Sequence, residues 1–147
     1  MIDARTQALL QDIVGRASRS MLQYAGESYP WTADGDAELL AKVQAVIAEE
    51  EEAVERLAAF LRKHRIGIPY LGSYPEKFTH LNYVTIDYLL PRLLDWQRSW
   101  VVILERDAGL IRDAETKAQV NCLVAVARRH LNELEKIAAS HAKAGAH

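Results

Sequence analysis

The sequence predicts an all-α protein, a four-helix bundle that forms one domain. In four long segments, apolar residues recur at spacings of three and four, which is the period of an amphipathic helix. No segment shows the apolar and polar alternation of a strand, and we find no internal repeat. With 147 residues, the chain is long enough to bury a core and short enough for a single domain, residues 1–147.

The predicted helices differ in length and are separated by Pro- and Gly-containing segments. They span about residues 3 or 6 to 27, 37–65, 79–107 and 113–140. Residues 1–3 and 140–147 are expected to fray, because chain ends make few contacts.

Several residues indicate where the last two helices start. Ser73-x-x-Glu76 resembles a capping box, so a short helical turn is expected before the third helix. Thr79 is the expected N-cap of the third helix, and Asp113 is expected to start the fourth. Pro91 lies within the third helix and is expected to kink it, because proline removes one backbone hydrogen bond.

The third predicted helix is apolar around most of its circumference. Such a helix is buried on several sides, so it is either the central helix of the bundle or shared with a second subunit. We therefore expect a homodimer that forms through this helix. Its aromatic residues are interpreted as core or interface rather than as cofactor contacts; they are Tyr83, Tyr88, Trp96 and Trp100.

Charge and cysteine content exclude several classes of partner. The net charge of -2 provides no basic surface, so nucleic acid is not an expected partner. No apolar run approaches the roughly 18 residues of a membrane span, and no membrane partner is expected. The lone Cys122 cannot form an internal disulfide, so we expect a cytoplasmic protein with a buried thiol.

Four polar residues lie on or beside the apolar stripes of their helices: Glu50, Asp87, Gln97 and His130. A buried charge without a partner is costly, so these side chains should be paired or neutral. Counting residues from the turn near residue 110 places Asp87 and His130 within about 4–5 Å in height, which predicts a hydrogen bond between them. A similar count suggests an ion pair between Glu50 and Arg16.

These four residues allow two interpretations. In bundles, buried polar residues often fix the register of the helices, and this structural role is the simpler reading. Alternatively, the residues form a ligand-binding cluster, in which Glu50, His130 and a neighbour bind a small molecule or a single metal ion.

The connections between the helices are short, long and short. Short connections join antiparallel neighbours and so predict two helical hairpins. The middle connection, residues 66–79, has 14 residues. It either turns back in an up-down-up-down bundle or crosses the full length of the bundle between the second and third helices. Helices of about 28 residues are about 42 Å long, and 14 extended residues reach about 46–50 Å, so the crossover is feasible and we favour it.

Two hairpins joined by a long crossover form the plan of ferritin-like bundles, and the chain resembles that superfamily over nearly its whole length. Residues 18–24 (SRSMLQY) and 74–93 (YPEKFTHLNYVTIDYLLPRL) also resemble a bacterial ferritin-like group. The resemblance implies a ferritin-like four-helix fold.

The same resemblance does not carry over to a di-iron centre. Ferritin-like di-iron proteins use a Glu on each of two helices and a Glu-x-x-His on each of the other two. Here the second helix has Glu49-x-x-Glu52 without a histidine in step, and the fourth has the reversed order, His130-x-x-Glu133. The chain therefore lacks the full ligand set, and no cofactor is predicted.

We expect a binding or structural protein rather than an enzyme. One alternative is a divergent metal-binding oxidoreductase or metal-storage protein that holds iron or another divalent metal through Glu50, His130 and Glu133. Another is a histidine phosphotransfer bundle, because His130 is followed by Leu131 as in that motif, although the usual Lys-Gly is missing. Phosphotransfer would require an exposed His130.

Overall fold

The computed structural model describes residues 2–28, 36–68, 72–82 and 84–145. Within these ranges the protein is all-α, as predicted, and contains no β-strand. The α-helices are α1 (Ala4–Ser18), α2 (Met21–Ser28), α3 (Ala37–Lys63), α4 (Ile86–Gly109) and α5 (Ala114–Gly145), and a 3-10 helix spans Glu76–Leu81. None of the helices in these ranges is long and apolar enough to cross a membrane.

The predicted first helix is in fact two helices. At Arg19 the backbone leaves the helical region, with φ -116° and ψ 31°. The backbone N–H of Gln23 then donates to the hydroxyl of Ser20 at 3.2 Å, so Ser20 caps the start of α2. The prediction of one continuous helix was wrong because Ser20-x-x-Gln23, itself a capping sequence, starts a new helix.

The main helix after the long connection starts later than predicted. The hydroxyl of Thr79 donates to the carbonyl of Glu76 at 2.8 Å within the 3-10 helix, so Thr79 does not cap α4. Instead, the hydroxyl of Thr85 accepts from the N–H of Tyr88 at 3.3 Å, and α4 begins at Ile86. The short helical turn expected before this helix is present as the 3-10 helix.

The first and last helices begin and end close to the limits of the described residues. Asp3 caps α1 by accepting from the N–H of Thr6 at 2.8 Å, and Ile2 is buried. Asp113 caps α5 through the N–H of Thr116 at 2.9 Å, as predicted. Helix α5 extends to Gly145, beyond its predicted end near residue 140. Met1, Tyr83 and residues 146–147 lie outside the described residues.

Two clusters of buried side chains hold the helices together. The first cluster joins α1 to the C-terminal halves of α3 and α4 and to the N-terminal half of α5; Leu10, Leu61, Leu104 and Val120 are among its members. The second joins α2 and the 3-10 helix to the N-terminal halves of α3 and α4 and to the C-terminal half of α5; Leu22, Val43, Leu89 and Leu134 are among its members.

The segment that follows α3 lies along α1 and α2. The side chain of Gln11 donates to the carbonyl of Gly67 at 2.8 Å, and Arg19 donates to the carbonyl of Gly72 at 3.0 Å. Further along, the rings of Tyr24 and Phe78 lie 5.6 Å apart. These contacts fix the segment that contains the 3-10 helix against α1 and α2.

Candidate functional site

Three of the four polar residues singled out from the sequence are buried, and the fourth is exposed. Glu50, Gln97 and His130 are each less than 4% exposed, whereas the Asp87 side chain is 66% exposed. The predicted Asp87–His130 hydrogen bond is wrong, because Asp87 contacts His141 on α5 instead. Helix α4 turns Ile86 and other apolar residues toward the core, and the neighbouring Asp87 therefore points outward.

Glu50 is held by α2 rather than by α1. One of its carboxylate oxygens accepts hydrogen bonds from the hydroxyl of Ser20 and, at 3.0 Å, from the amide of Gln23. Burial raises the pKa of Glu50 to about 7, although both hydrogen bonds favour the ionised form. The predicted Glu50–Arg16 ion pair is wrong, since Arg16 pairs with Asp12 on its own helix at 3.3 Å.

His130 on α5 is buried without a hydrogen bond. Neither ring nitrogen has a hydrogen-bond partner among the described residues, although a carboxylate oxygen of Glu49 lies 3.5 Å from Nε2. Burial and the positive charge of Arg129 lower the pKa of His130 to about 4. The ring is therefore neutral at neutral pH, so its contact with Glu49 is not an ion pair, and Glu49 pairs with Arg129 instead.

Gln97 connects α4 to α5 in the interior. Its amide nitrogen donates to the carbonyl of Ala127 at 3.0 Å, and its amide oxygen is buried without a partner in the described part of the chain. Ala127 lies three residues before His130 on α5. The hydrogen bond from Gln97 therefore reaches α5 within one helical turn of His130.

The metal-binding alternative would require several ligand side chains to lie close together. In the ranges that the structure describes, no three His, Cys, Asp or Glu side chains are grouped to hold a metal ion. Of the suggested ligands, Glu133 is exposed and lies 3.7 Å from Lys136. The residues present therefore do not fit the di-iron centre of ferritin-like proteins.

Two other candidates also change with the structure. Phosphotransfer requires a solvent-exposed histidine, and the buried ring of His130 does not meet this requirement. Cys122 is exposed, so the prediction of a buried thiol was wrong.

A groove lies between α1 and α4. Its volume is about 1140 Å³. Helix α1 packs on α3 and α4 packs on α5, whereas α1 and α4 make at most sparse backbone contact. The 3-10 helix and the residues before it line one part of this groove.

Aromatic and apolar side chains of α4 and the 3-10 helix line the groove. Trp96 and Trp100 stack with ring centroids 5.6 Å apart, which is the arrangement expected for positions one helical turn apart. Phe78 and Leu81 lie beside the start of α4, and Ile103 lies at the other end. We refer to these five side chains as the apolar floor.

The opposite wall of the groove is polar and small. Helix α1 contributes Gln11, Asp12, Gly15 and Arg16, and Arg19 follows directly after it. Because Gly15 has no side chain and the other lining residues of this wall are polar, Trp96 and Ile103 remain only partly buried.

The sequence contains a signal for this groove. Helix α4 presents aromatic and apolar residues to the groove, whereas the polar residues Gln11, Arg16 and Arg19 line its opposite wall. A helix with a narrow apolar stripe cannot cover a neighbour that is apolar on several sides. Sequence reasoning assigned the excess apolar surface to a core or a subunit interface, because it could not tell which helices are neighbours.

Comparison with known proteins gave no match. No protein-family model matches the chain, and no curated protein or solved structure shows significant similarity to it.

Proposed function

We propose that this chain is a binding protein, built on a ferritin-like four-helix scaffold, whose ligand site is the groove between α1 and α4. The observation that carries the proposal is the groove itself, with its aromatic floor and its polar rim. Ligand pockets are typically concave and mostly apolar, with a few polar groups that orient the ligand.

The arrangement of the core clusters supports the ferritin-like scaffold. The C-terminal halves of α3 and α4 share the first cluster, and their N-terminal halves share the second. In addition, Lys63 at the end of α3 lies 3.8 Å from Glu115 at the start of α5. Both observations favour parallel α3 and α4 joined by a crossover, for which residues 64–85 provide the chain length.

The chemistry of the groove favours binding over catalysis. Its described lining contains no Cys or Glu, and its one histidine, His80, makes no hydrogen bond or ion pair with another described residue. A nucleophile requires an activating base within hydrogen-bond reach. The groove therefore offers surface and charge to a ligand but no evident catalytic pair.

We assign the buried polar residues a structural role within this proposal. Glu50 connects α3 to α2, and Gln97 connects α4 to α5. A shift of either helix along its neighbour would leave these groups buried without partners, which costs about 1–3 kcal/mol per group. Glu50 and Gln97 would thus set the register of the helices that carry the groove.

A homodimer through α4 is a further part of the proposal. Two apolar side chains of α4 and its C-cap lie outside the groove and are well exposed, Val102 at 66% and Leu110 at 58%. Light scattering at about 10 µM should give twice the monomer mass for the wild-type protein and the monomer mass for the Val102→Glu variant. A monomer for both proteins would contradict the dimer.

The binding function is tested with the uncharged fluorescent probe N-phenyl-1-naphthylamine. We expect the fluorescence of the probe to increase and to saturate at about one probe per chain, because the apolar floor shields the probe from water. Ser99→Trp places a bulky side chain at a groove-lining position and should weaken binding by about tenfold or more, roughly 1.4 kcal/mol.

The matched control is Ser140→Trp, which adds the same side chain at an exposed position of α5 and should leave probe affinity unchanged. If Ser99→Trp does not fold, Gly15→Leu narrows the groove from the opposite wall. No saturable enhancement, or the same affinity for both Trp variants, would overturn the proposal.

A further inference from the structure

The charges that line the groove are unbalanced. It is lined by four cationic side chains, Arg16, Arg19, Lys77 and Arg92, and by two carboxylates, Asp12 and Asp95. Both carboxylates already have partners. Asp12 lies 3.3 Å from Arg16, and Asp95 lies 3.2 Å from Arg98, which is not part of the lining.

Three cations therefore have no carboxylate partner in the described part of the chain: Arg19, Lys77 and Arg92. Arg19 donates to two main-chain carbonyls, those of Gly72 and Ser18. Arg92 likewise donates to a carbonyl, that of Tyr88, at 2.8 Å. Contacts with neutral carbonyls satisfy single N–H groups but leave the positive charges uncompensated.

Aromatic rings position these three cations. The guanidinium carbon of Arg92 lies 3.3 Å from the Tyr88 ring centroid, and that of Arg19 lies 5.0 Å from the Tyr74 ring. Lys77 lies 5.7 Å from the Phe78 ring in the same way. Stacking on a ring restrains the cation and leaves its outward N–H groups free to bind an anion.

The three cations lie toward one end of the groove. Arg19 follows the last residue of α1, Lys77 belongs to the 3-10 helix, and Arg92 lies in the second turn of α4. Trp100 packs in the first core cluster and Ile103 packs against it, at the other end of α4. The groove thus has a cationic end and an apolar end.

We propose that the ligand of this groove is a small amphipathic carboxylic acid. Its carboxylate binds near Arg19, Lys77 and Arg92, and its alkyl or aryl body lies along Trp96 and Trp100. This inference rests on the proposed binding function and adds the chemical class of the ligand. A carboxylate matches the planar donor pair of arginine, and the apolar body covers the parts of Trp96 and Ile103 that remain exposed.

The experiment compares three ligands of equal chain length, decanoate, decanol and decylamine, as competitors of the uncharged probe at pH 7.5. We expect decanoate to displace the probe at a concentration about tenfold lower than decanol, and decylamine to be the weakest. The advantage of decanoate over decanol should shrink at high salt, because exposed charges are screened.

Charge variants locate the carboxylate. Arg92→Gln and Lys77→Gln should each reduce the advantage of decanoate about threefold or more while leaving decanol unchanged. Arg92→Lys should retain part of this advantage. Arg112→Gln removes the same charge at an exposed site outside the groove and should have no effect.

The outcomes separate this inference from the proposed function. Equal displacement by decanoate and decanol would overturn the acid assignment while the binding function stands. Tighter binding of decyl phosphate than of decanoate would overturn the choice of carboxylate. Failure of the probe itself to bind would overturn the binding function, and the acid assignment with it.

Discussion

The hydroxyl of Ser20 donates a hydrogen bond to the buried carboxylate of Glu50, across the contact between the start of α2 and the middle of α3. The same hydroxyl accepts from the backbone N–H of Gln23, whose side chain donates to Glu50 as well. The break between α1 and α2 thus places a capping serine and a glutamine around one carboxyl group. The proton on that group should affect how firmly α2 is held.

Replacing Glu50 with Gln tests this connection through the pH dependence of stability. The pKa of Glu50 rises from 4.5 to about 7 on folding, so the native state binds more protons than the unfolded state between these values. Its stabilising contribution is complete below about pH 4.5 and is lost as the pH rises through about 7. As the pH rises from about 4.5 to 8, the free energy of unfolding of Glu50→Gln should therefore increase relative to that of wild type by up to about 3 kcal/mol.

Urea unfolding of both proteins across this range measures that difference directly. A difference that stays constant with pH would show that Glu50 does not change its protonation on folding.

Replacing His130 with Gln should give the opposite slope. The pKa of His130 falls from 6.5 to about 4 on folding, so the unfolded state binds more protons between these values, and stability is lost as the pH falls. His130→Gln removes this loss. As the pH falls from about 7 to 5, its free energy of unfolding should increase relative to that of wild type by about 2 kcal/mol. The same urea titrations test it, and a wild-type-like acid slope in His130→Gln would contradict the buried neutral ring.

Sequence reasoning reached the all-α class and the inward phase of Glu50, Gln97 and His130, because helical periodicity is a local property. It missed the break at Ser20, although the capping sequence Ser20-x-x-Gln23 was available, since the apolar stripe runs through the break. Partners such as Asp87 and His141 depend on how neighbouring helices are rotated, which residue counting does not provide. The groove between α1 and α4 could not be predicted from the sequence for the same reason.

Zero-length cross-linking tests the proposed crossover. A carbodiimide should join Lys63 to Glu115, whose side-chain atoms lie 3.8 Å apart, and mass spectrometry should identify the cross-linked peptide. In an up-down-up-down bundle these residues would lie at opposite ends, about 40 Å apart for helices of this length. Lys63→Arg should abolish the product, and its absence from the wild-type monomer would contradict the crossover.

Metal analysis tests the reading of the buried polar residues as structural. Protein purified without a tag from iron-supplemented cells should contain no stoichiometric metal by plasma mass spectrometry, since the described residues group no ligand set. About two irons per chain, lost in Glu50→Ala or His130→Ala, would instead indicate a di-iron site. About one metal per chain would indicate a reduced site.

Photolabelling shows where a ligand is bound and so tests whether the groove between α1 and α4 is a ligand site. The reagent is a medium-chain carboxylic acid with a diazirine at the apolar end of its chain, irradiated with the full-length protein and located by peptide mapping. We expect labels on the α4 residues that line the groove, near Trp96 and Trp100, with strong loss in Ser99→Trp and no loss in Ser140→Trp. Labels on the outer faces of α3 and α5, or equal labelling of both Trp variants, would contradict it.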